Sequence, residues 1–237
     1  MKKIITKNVL ALFCTAGLFS LLLTSCTKIP MNVNTNAPTA SITVLQALPD
    51  QNPLDVVIDN TRVNQSGFYY GESSGYITLT TGNGTVVFYD DVTSKPILAD
   101  TINFVAYTNY SLFLVSAANK PAAFLLTDTL TKPAAGNASV RFVDVSPDAP
   151  AVDLVVKGGS TLVSNRSFKG FSSFAPITPN TYTFEVHQAG TATVLATMPN
   201  VKLNANYVYT IWFHGFAAGA TATDKLSLDI VNNIYYP

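Results

Sequence analysis

The chain has 237 residues, 14 Lys and Arg against 14 Asp and Glu, and only 12% of it is charged. No basic run stands out, which argues against a nucleic-acid partner and against electrostatic binding to a membrane surface. Setting aside Lys2, Lys3 and Lys7, which belong to a leader, 11 basic residues face 14 acidic ones, a net charge near −3.

The first 25 residues read as an address. Lys2, Lys3 and Lys7 form a positive n-region, and Val9 to Leu23 is an apolar stretch of 15 residues. That is shorter than the ~20 apolar residues a spanning helix needs, and its flanks are those of a signal peptide. It ends Leu23-Thr24-Ser25-Cys26, the pattern of a bacterial lipobox. Small residues fit the processing peptidase, and the Cys26 thiol is expected to take a diacylglyceryl group, with palmitate-type chains, before cleavage at 1–25. Cys14 would leave with the leader, so the folded body would have neither a thiol nor a disulfide. Two or three acyl chains anchor stably, each buried CH₂ contributing roughly 0.8 kcal/mol.

Residues 26–39 follow as the lipidated Cys and a flexible tether. Thr27 to Thr39, TKIPMNVNTNAPT, has two prolines, three asparagines and no apolar periodicity. Its thirteen residues reach at most about 43 Å. Thr27 is not an aspartate, so the expected location is the bacterial outer membrane, with periplasmic or surface facing left open.

The body says one thing twice. Ala40–Asp59, ASITVLQALPDQNPLDVVID, matches Ala138–Lys157, ASVRFVDVSPDAPAVDLVVK, at a spacing of 98. Gly71–Ser74 aligns with Gly170–Ser173 at 99, Ile97–Ala99 with Val194–Ala196 at 97, and Asn109-Tyr110 with Asn206-Tyr207 at 97. Drift of one residue is what small loop insertions produce. A period this long is the size of a domain. The expected layout is one repeat over 40–130, a linker over 131–137 and a second repeat over 138–237.

Within each copy the signal is short strands. Leu54, Val56 and Ile58 alternate with Asp55, Val57 and Asp59, and Val152, Leu154 and Val156 do so in the second copy. Tyr182, Phe184 and Val186 alternate with Thr183, Glu185 and His187. Tyr207, Tyr209, Ile211 and Phe213 line one face of a later strand, and Tyr110, Leu112 and Leu114 one in the first copy. Gly82-Asn83-Gly84, Lys157-Gly158-Gly159 and Pro179-Asn180 mark turns. The first strand breaks phase in both copies: Ile42 and Val44 are followed by Leu45 and Ala47, and Val140 and Phe142 by Val143 and Val145. This suggests a bulge or a strand crossing between sheets. About seven strands per copy, with frequent turns, indicate an all-β fold of two tandem immunoglobulin-like β-sandwiches.

Leu203-Asn204-Ala205-Asn206-Tyr207-Val208-Tyr209 resembles the corner-closing segment of fibronectin type III domains, with Tyr110 as the stand-in in the first copy. The segments Ser146–Asp153 (SPDAPAVD), Pro179–Val186, Val194–Ala196 and Leu203–Asn206 resemble the family catalogued as domain of unknown function 4397. The resemblance is closer over Ala138–Gly215 than over Ala40–Val115. It implies exported β-sandwich modules of the cell envelope, with no established activity and no catalytic residues to transfer.

Several side chains compete for a functional role. Asp144, Asp148 and Asp153 recur in part as Asp50 and Asp55, so a Ca²⁺ site is one reading. Turn-capping carboxylates are the other, and it is preferred because the third acidic position differs between copies. His187 and His214 have no Cys or HxxxH context and read as surface-strand residues. Tyr69, Tyr70 and Tyr76 flank a Gly/Ser loop, with Phe171 and Phe174 equivalent, and Trp212 lies opposite Tyr209 and Ile211. These aromatics, and the Gly215–Asp224 loop, are the candidate binding surface. No cofactor and no enzymatic activity is expected. The expected function is a non-enzymatic, membrane-anchored binding or structural module with an envelope protein or glycan as partner. The alternative is a carbohydrate-binding accessory protein of a glycan-uptake system.

Overall fold

The computed structural model describes residues 37–49, 51–118, 120–219, 221 and 224–237. Cys26, the leader, most of the tether and Asp50 lie outside them. Among the described residues there is no helix long and apolar enough to cross a membrane; the described residues form one compact unit of strands.

The first eight strands are β1 (Thr39–Gln46), β2 (Leu54–Ile58), β3 (Thr61–Arg62), β4 (Ser73–Thr80), β5 (Gly82–Asp90), β6 (Pro96–Phe104), β7 (Asn109–Ala117) and β8 (Lys120–Asp128). The next eight are β9 (Ala138–Asp144), β10 (Val152–Val156), β11 (Thr161–Arg166), β12 (Ala175–Ile177), β13 (Thr181–Gln188), β14 (Val194–Lys202), β15 (Tyr207–His214) and β16 (Ser227–Tyr235). The first set builds sheets β4-β1-β7-β8 and β3-β2-β5-β6. The second builds β12-β9-β15-β16 and β11-β10-β13-β14, the same order strand for strand. Each pair of sheets encloses an apolar core, so the fold is all-β and sandwich-like. Within it, β1 runs parallel to β7 and β9 parallel to β15. The first strand thus lies between the fourth and the seventh, an order distinct from the first-beside-second arrangement of immunoglobulin sheets.

The broken phase of the first strand has a simple cause. Ile42 and Val44 enter the core of their own sandwich, with Leu112 and Leu114 of β7. Leu45 and Ala47 point out of the other face, into a third apolar cluster with Phe113, Val115 and Leu126 from the first copy and Val143, Val145 and Trp212 from the second. The sheet of β1 and β7 therefore stacks on the sheet of β9 and β15. Strands buried on both faces lose their alternation and read as continuous apolar runs. A bulge is present at Thr43/Leu45 against β4, and the same one-residue shift separates the Val140–Ala175 pair from the Val143–Phe171 bridge, while nothing interrupts β9 against β15.

The drift of the repeat also has a structural origin. Val56 faces Phe88, which faces Leu98; Leu154 faces Val186, which faces Ala196. Leu45 faces Ser73 and Val143 faces Phe171. The spacing is thus 98 in these segments, which corrects the 99 and 97 read from the letters. Beyond them it is 99, because Ile42 faces Tyr110 and Val140 faces Tyr209. The extra residue sits inside a strand: β13 and β14 shift register between Tyr182/Phe184 and Val201/Met198, next to Asn200 at φ 58°. It is a β-bulge and not a loop insertion. Tyr209 and Tyr110 close equivalent corners, their hydroxyls accepting from the backbone N–H of Asn204 at 3.2 Å and of Val105 at 3.0 Å.

Candidate functional site

The contact between the two sandwiches gathers a set of buried polar side chains that bond across it. Arg141 of β9 is 2% exposed, and its guanidinium pairs with Asp128 of β8 at 2.6 Å. Its other nitrogens donate to Ser111 Oγ at 2.7 Å and Thr210 Oγ1 at 2.8 Å. Asp128 also accepts from Ser111 Oγ at 2.7 Å and from the Tyr76 hydroxyl. Asn233 completes the ring, accepting from Thr210 at 2.6 Å and donating to Tyr76 at 3.1 Å. Burial, reinforced by the Asp128 charge, pushes the Tyr76 phenol well above its ordinary value, so it remains a donor.

The register makes the two halves of this ring comparable. Thr43, Tyr76 and Ser111 occupy the places of Arg141, Phe174 and Thr210. The first copy therefore offers an acid and the second a base at the centre of an otherwise two-fold contact. Arg141 lies over the Phe174 ring, 4.7 Å from its centroid, where the first copy has the hydrogen-bonding Tyr76.

That difference propagates to the two edges of the contact. At the β4–β16 edge, His214 hydrogen-bonds the Tyr70 hydroxyl through Nδ1 at 2.5 Å and the Asp229 carboxylate through Nε2 at 2.8 Å. Its ring stacks on Trp212 at 4.3 Å. At the β12–β8 edge the matching positions are Phe168, Val115 and Phe124, with the Lys169 ammonium 5.6 Å from the Phe124 ring. Here no tyrosine ties the strands together, and a groove of about 240 Å³ opens. Thr127, Thr129 and Thr131 form one wall, Phe171 to Phe174 the other, and Arg141 lies at its floor. Phe171 is 49% exposed. Because Asp128 already neutralises Arg141, the groove is polar and hydroxyl-rich without being charged.

The expected site residues fall in different places. Trp212 is 1% exposed and packs edge-on against Phe113 at 5.9 Å, so it is an interface core residue and not a surface platform. The strand that carries it is apolar on both faces because both faces are covered. Tyr76 and Tyr70 are half-buried and hydrogen-bond across the same contact through their hydroxyls, and of the three tyrosines only Tyr69 is exposed. His214 is likewise buried, at odds with the surface reading, while His187 is half-buried beside Glu185 at 2.9 Å.

The aspartates are not brought together. Asp148 accepts from the Ala217 and Ala218 amides at 2.8 and 3.3 Å, pinning the start of the Gly215–Asp224 loop. Asp153 accepts from the Asn165 and Gly190 amides at 2.7 and 3.0 Å. Asp144 is fully buried and accepts from the Ser146 amide at 2.9 Å. Burial raises its carboxyl to about 7. Its counterpart, Gln46, makes the same bond to the Leu48 amide at 2.8 Å and is neutral by nature. Among the described residues no group of three His, Cys, Asp or Glu side chains is placed to hold a metal ion. Sequence reasoning passed over Arg141 and Asp128. The available signal was a charge beside an apolar run, Arg141 between Val140 and Phe142 in β9 and Asp128 closing β8.

With the fold and the contact described, residues 40–155 match the family described as Domain of unknown function (DUF4397). Over those residues the chain belongs to that family. The DUF4397 match covers the first sandwich except for Thr39 at its start and ends inside β10, so it includes the Ser146–Asp153 motif but not the later segments of the second copy. No curated protein matches the chain. Solved structures resemble it only loosely. CBMbc, a family CBM26 module from Eubacterium rectale Amy13K in complex with maltoheptaose, is 11% identical, with 84% of this chain and 98% of that one covered and a TM-score of 0.25. A streptococcal virulence factor described for α-glucan binding is 11% identical, with 73% and 92% covered and a TM-score of 0.25. At this degree of likeness their ligands say nothing about the DUF4397 chain.

Proposed function

We propose that this DUF4397 chain is an outer-membrane lipoprotein, anchored through Cys26, whose paired sandwiches act as a non-enzymatic binding module. The observation that carries the binding role is the open edge of the inter-sandwich contact. One edge is sealed by Tyr70, Tyr76, His214 and Asn233, while the other leaves a groove with an exposed ring at its lip. A volume of about 240 Å³ lies below the ~300–1,000 Å³ of pockets that swallow a small molecule whole. The groove therefore suits one end or one ring of a longer ligand.

The second reading, a carbohydrate-binding accessory protein of a glycan-uptake system, is favoured by Phe171 beside five hydroxyl side chains. A sugar ring offers an apolar face for stacking and an edge of hydroxyls for hydrogen bonds. Two experiments test these readings separately. Radiolabelled palmitate should enter the wild type and not Cys26→Ala; label retained in the variant refutes the anchor. A glycan array probed with the protein should show signal that Phe171→Ala removes; an array blank for the wild type ends the carbohydrate reading.

A further inference from the structure

The turn between β6 and β7 differs from its counterpart in a way that folding does not require. Tyr107 sits at φ 59° and is 82% exposed. Its amide donates to Thr39 O at 2.7 Å. In the second copy Asn206 sits at φ 66° and its amide donates to Asn137 O at 2.8 Å. The two turns thus share their backbone, including the tyrosine-corner bonds at Val105 and Asn204. Asparagine is a usual non-glycine choice for left-handed backbone, because its short polar side chain bonds locally; a tyrosine there is strained. The second copy has Asn204-Ala205-Asn206 and the first has Val105-Ala106-Tyr107, with Val105 55% exposed. The first copy holds two bare apolar side chains where the same turn is satisfied by two asparagines. Strained, exposed residues of this kind point to a contact outside the chain.

The position of the turn identifies the contact. Tyr107 bonds directly to Thr39, the residue at which the chain enters the body. Thirteen residues, Thr27–Thr39, separate this point from Cys26, a span of at most about 43 Å. The turn from Val105 to Thr108 has no charge, so an electrostatic partner does not fit. Tyrosine with a neighbouring aliphatic residue suits the bilayer interface, where the ring is buried and the hydroxyl stays wet. We propose that the Val105–Tyr107 turn seats against the lipid surface to which the chain is anchored and so sets the orientation of the body. This inference rests on the lipid-anchor reading above.

The test uses the full lipidated chain in phosphatidylcholine vesicles. With Cys14 removed by processing and Cys26 acylated, Val105→Cys supplies one free thiol for an environment-sensitive NBD label. Val92→Cys is the reference, being 71% exposed at the far end of β5. The label at 105 should shift to shorter wavelength and be quenched several-fold more strongly by doxyl lipid than the label at 92. Adding Tyr107→Asn should remove most of that difference, and raising the salt should not. Equal quenching at 105 and 92 in vesicles that float with the protein overturns the inference while leaving the anchor intact. Protein that fails to float with the vesicles overturns both.

Discussion

The β4–β16 and β12–β8 edges of the inter-sandwich contact occupy equivalent positions, yet they are chemically opposite. One carries two sets of hydrogen bonds, Tyr70 to His214 to Asp229 and Tyr76 to Asn233. The other carries Phe168, Phe174, Val115 and Phe124 at the matching places and opens into a groove. A doubled domain can stack its copies through one apolar face, which the Leu45–Val143 and Phe113–Trp212 positions provide. What the copies do not share then decides how they pair and where they stay open. An acid in one copy and a base in the other also disfavour pairing like with like, since two first copies would bury two Asp128 carboxylates together.

The comparison breaks most visibly at its centre. Arg141→Met should cost about 3–5 kcal/mol, because Asp128 is left buried without its counter-charge. The double variant Arg141→Met with Asp128→Leu should recover much of that loss, and denaturant melts of all three chains measure the difference.

Asp144 against Gln46 is the next contrast. A carboxyl raised to about 7 in the fold and near 3.8 when unfolded binds more protons folded than unfolded between those values. Stability from this group is complete below about pH 4 and is lost as the pH rises through 7. Asp144→Asn, which keeps the acceptor for the Ser146 amide, should raise stability at pH 8 by roughly 2–4 kcal/mol and flatten the slope between pH 4 and 7. A variant with an unchanged slope would show that Asp144 is not the neutral equivalent of Gln46.

Exchanging the two ring positions sharpens the edge comparison. Tyr76→Phe should cost about 1–3 kcal/mol, since it strips a donor from buried Asp128. Phe174→Tyr at the open edge should change stability by less than about 0.5 kcal/mol. The smallest effect is at the turns: Tyr107→Asn should stabilise the fold by under about 1 kcal/mol by relieving left-handed strain, a gain readable as a small rise in Tm.

Alternation and turn chemistry made the strands and the doubling legible, because one face of each outer strand meets water. The same rule failed where both faces are covered. Leu45 and Val143 looked like a phase break, and Trp212 looked like a surface ring, because a sequence records apolarity and not which layer covers it. Tyr76 was picked out as an aromatic, but its work is done by its hydroxyl, whose partners Asp128 and Asn233 lie 52 and 157 residues away. The groove has no motif at all. It exists because Phe174 replaces a tyrosine, an absence that only the aligned register reveals.

The most direct test of the open edge compares binding by two exchange variants on one glycan array. Phe171→Ser installs the residue that the first copy has at this place, Ser73, and Tyr76→Phe alters the sealed edge. Signal lost in Phe171→Ser with its Tm unchanged, and kept in Tyr76→Phe, is the result predicted for a groove that binds. Signal untouched by Phe171→Ser would place the ligand elsewhere and contradict it.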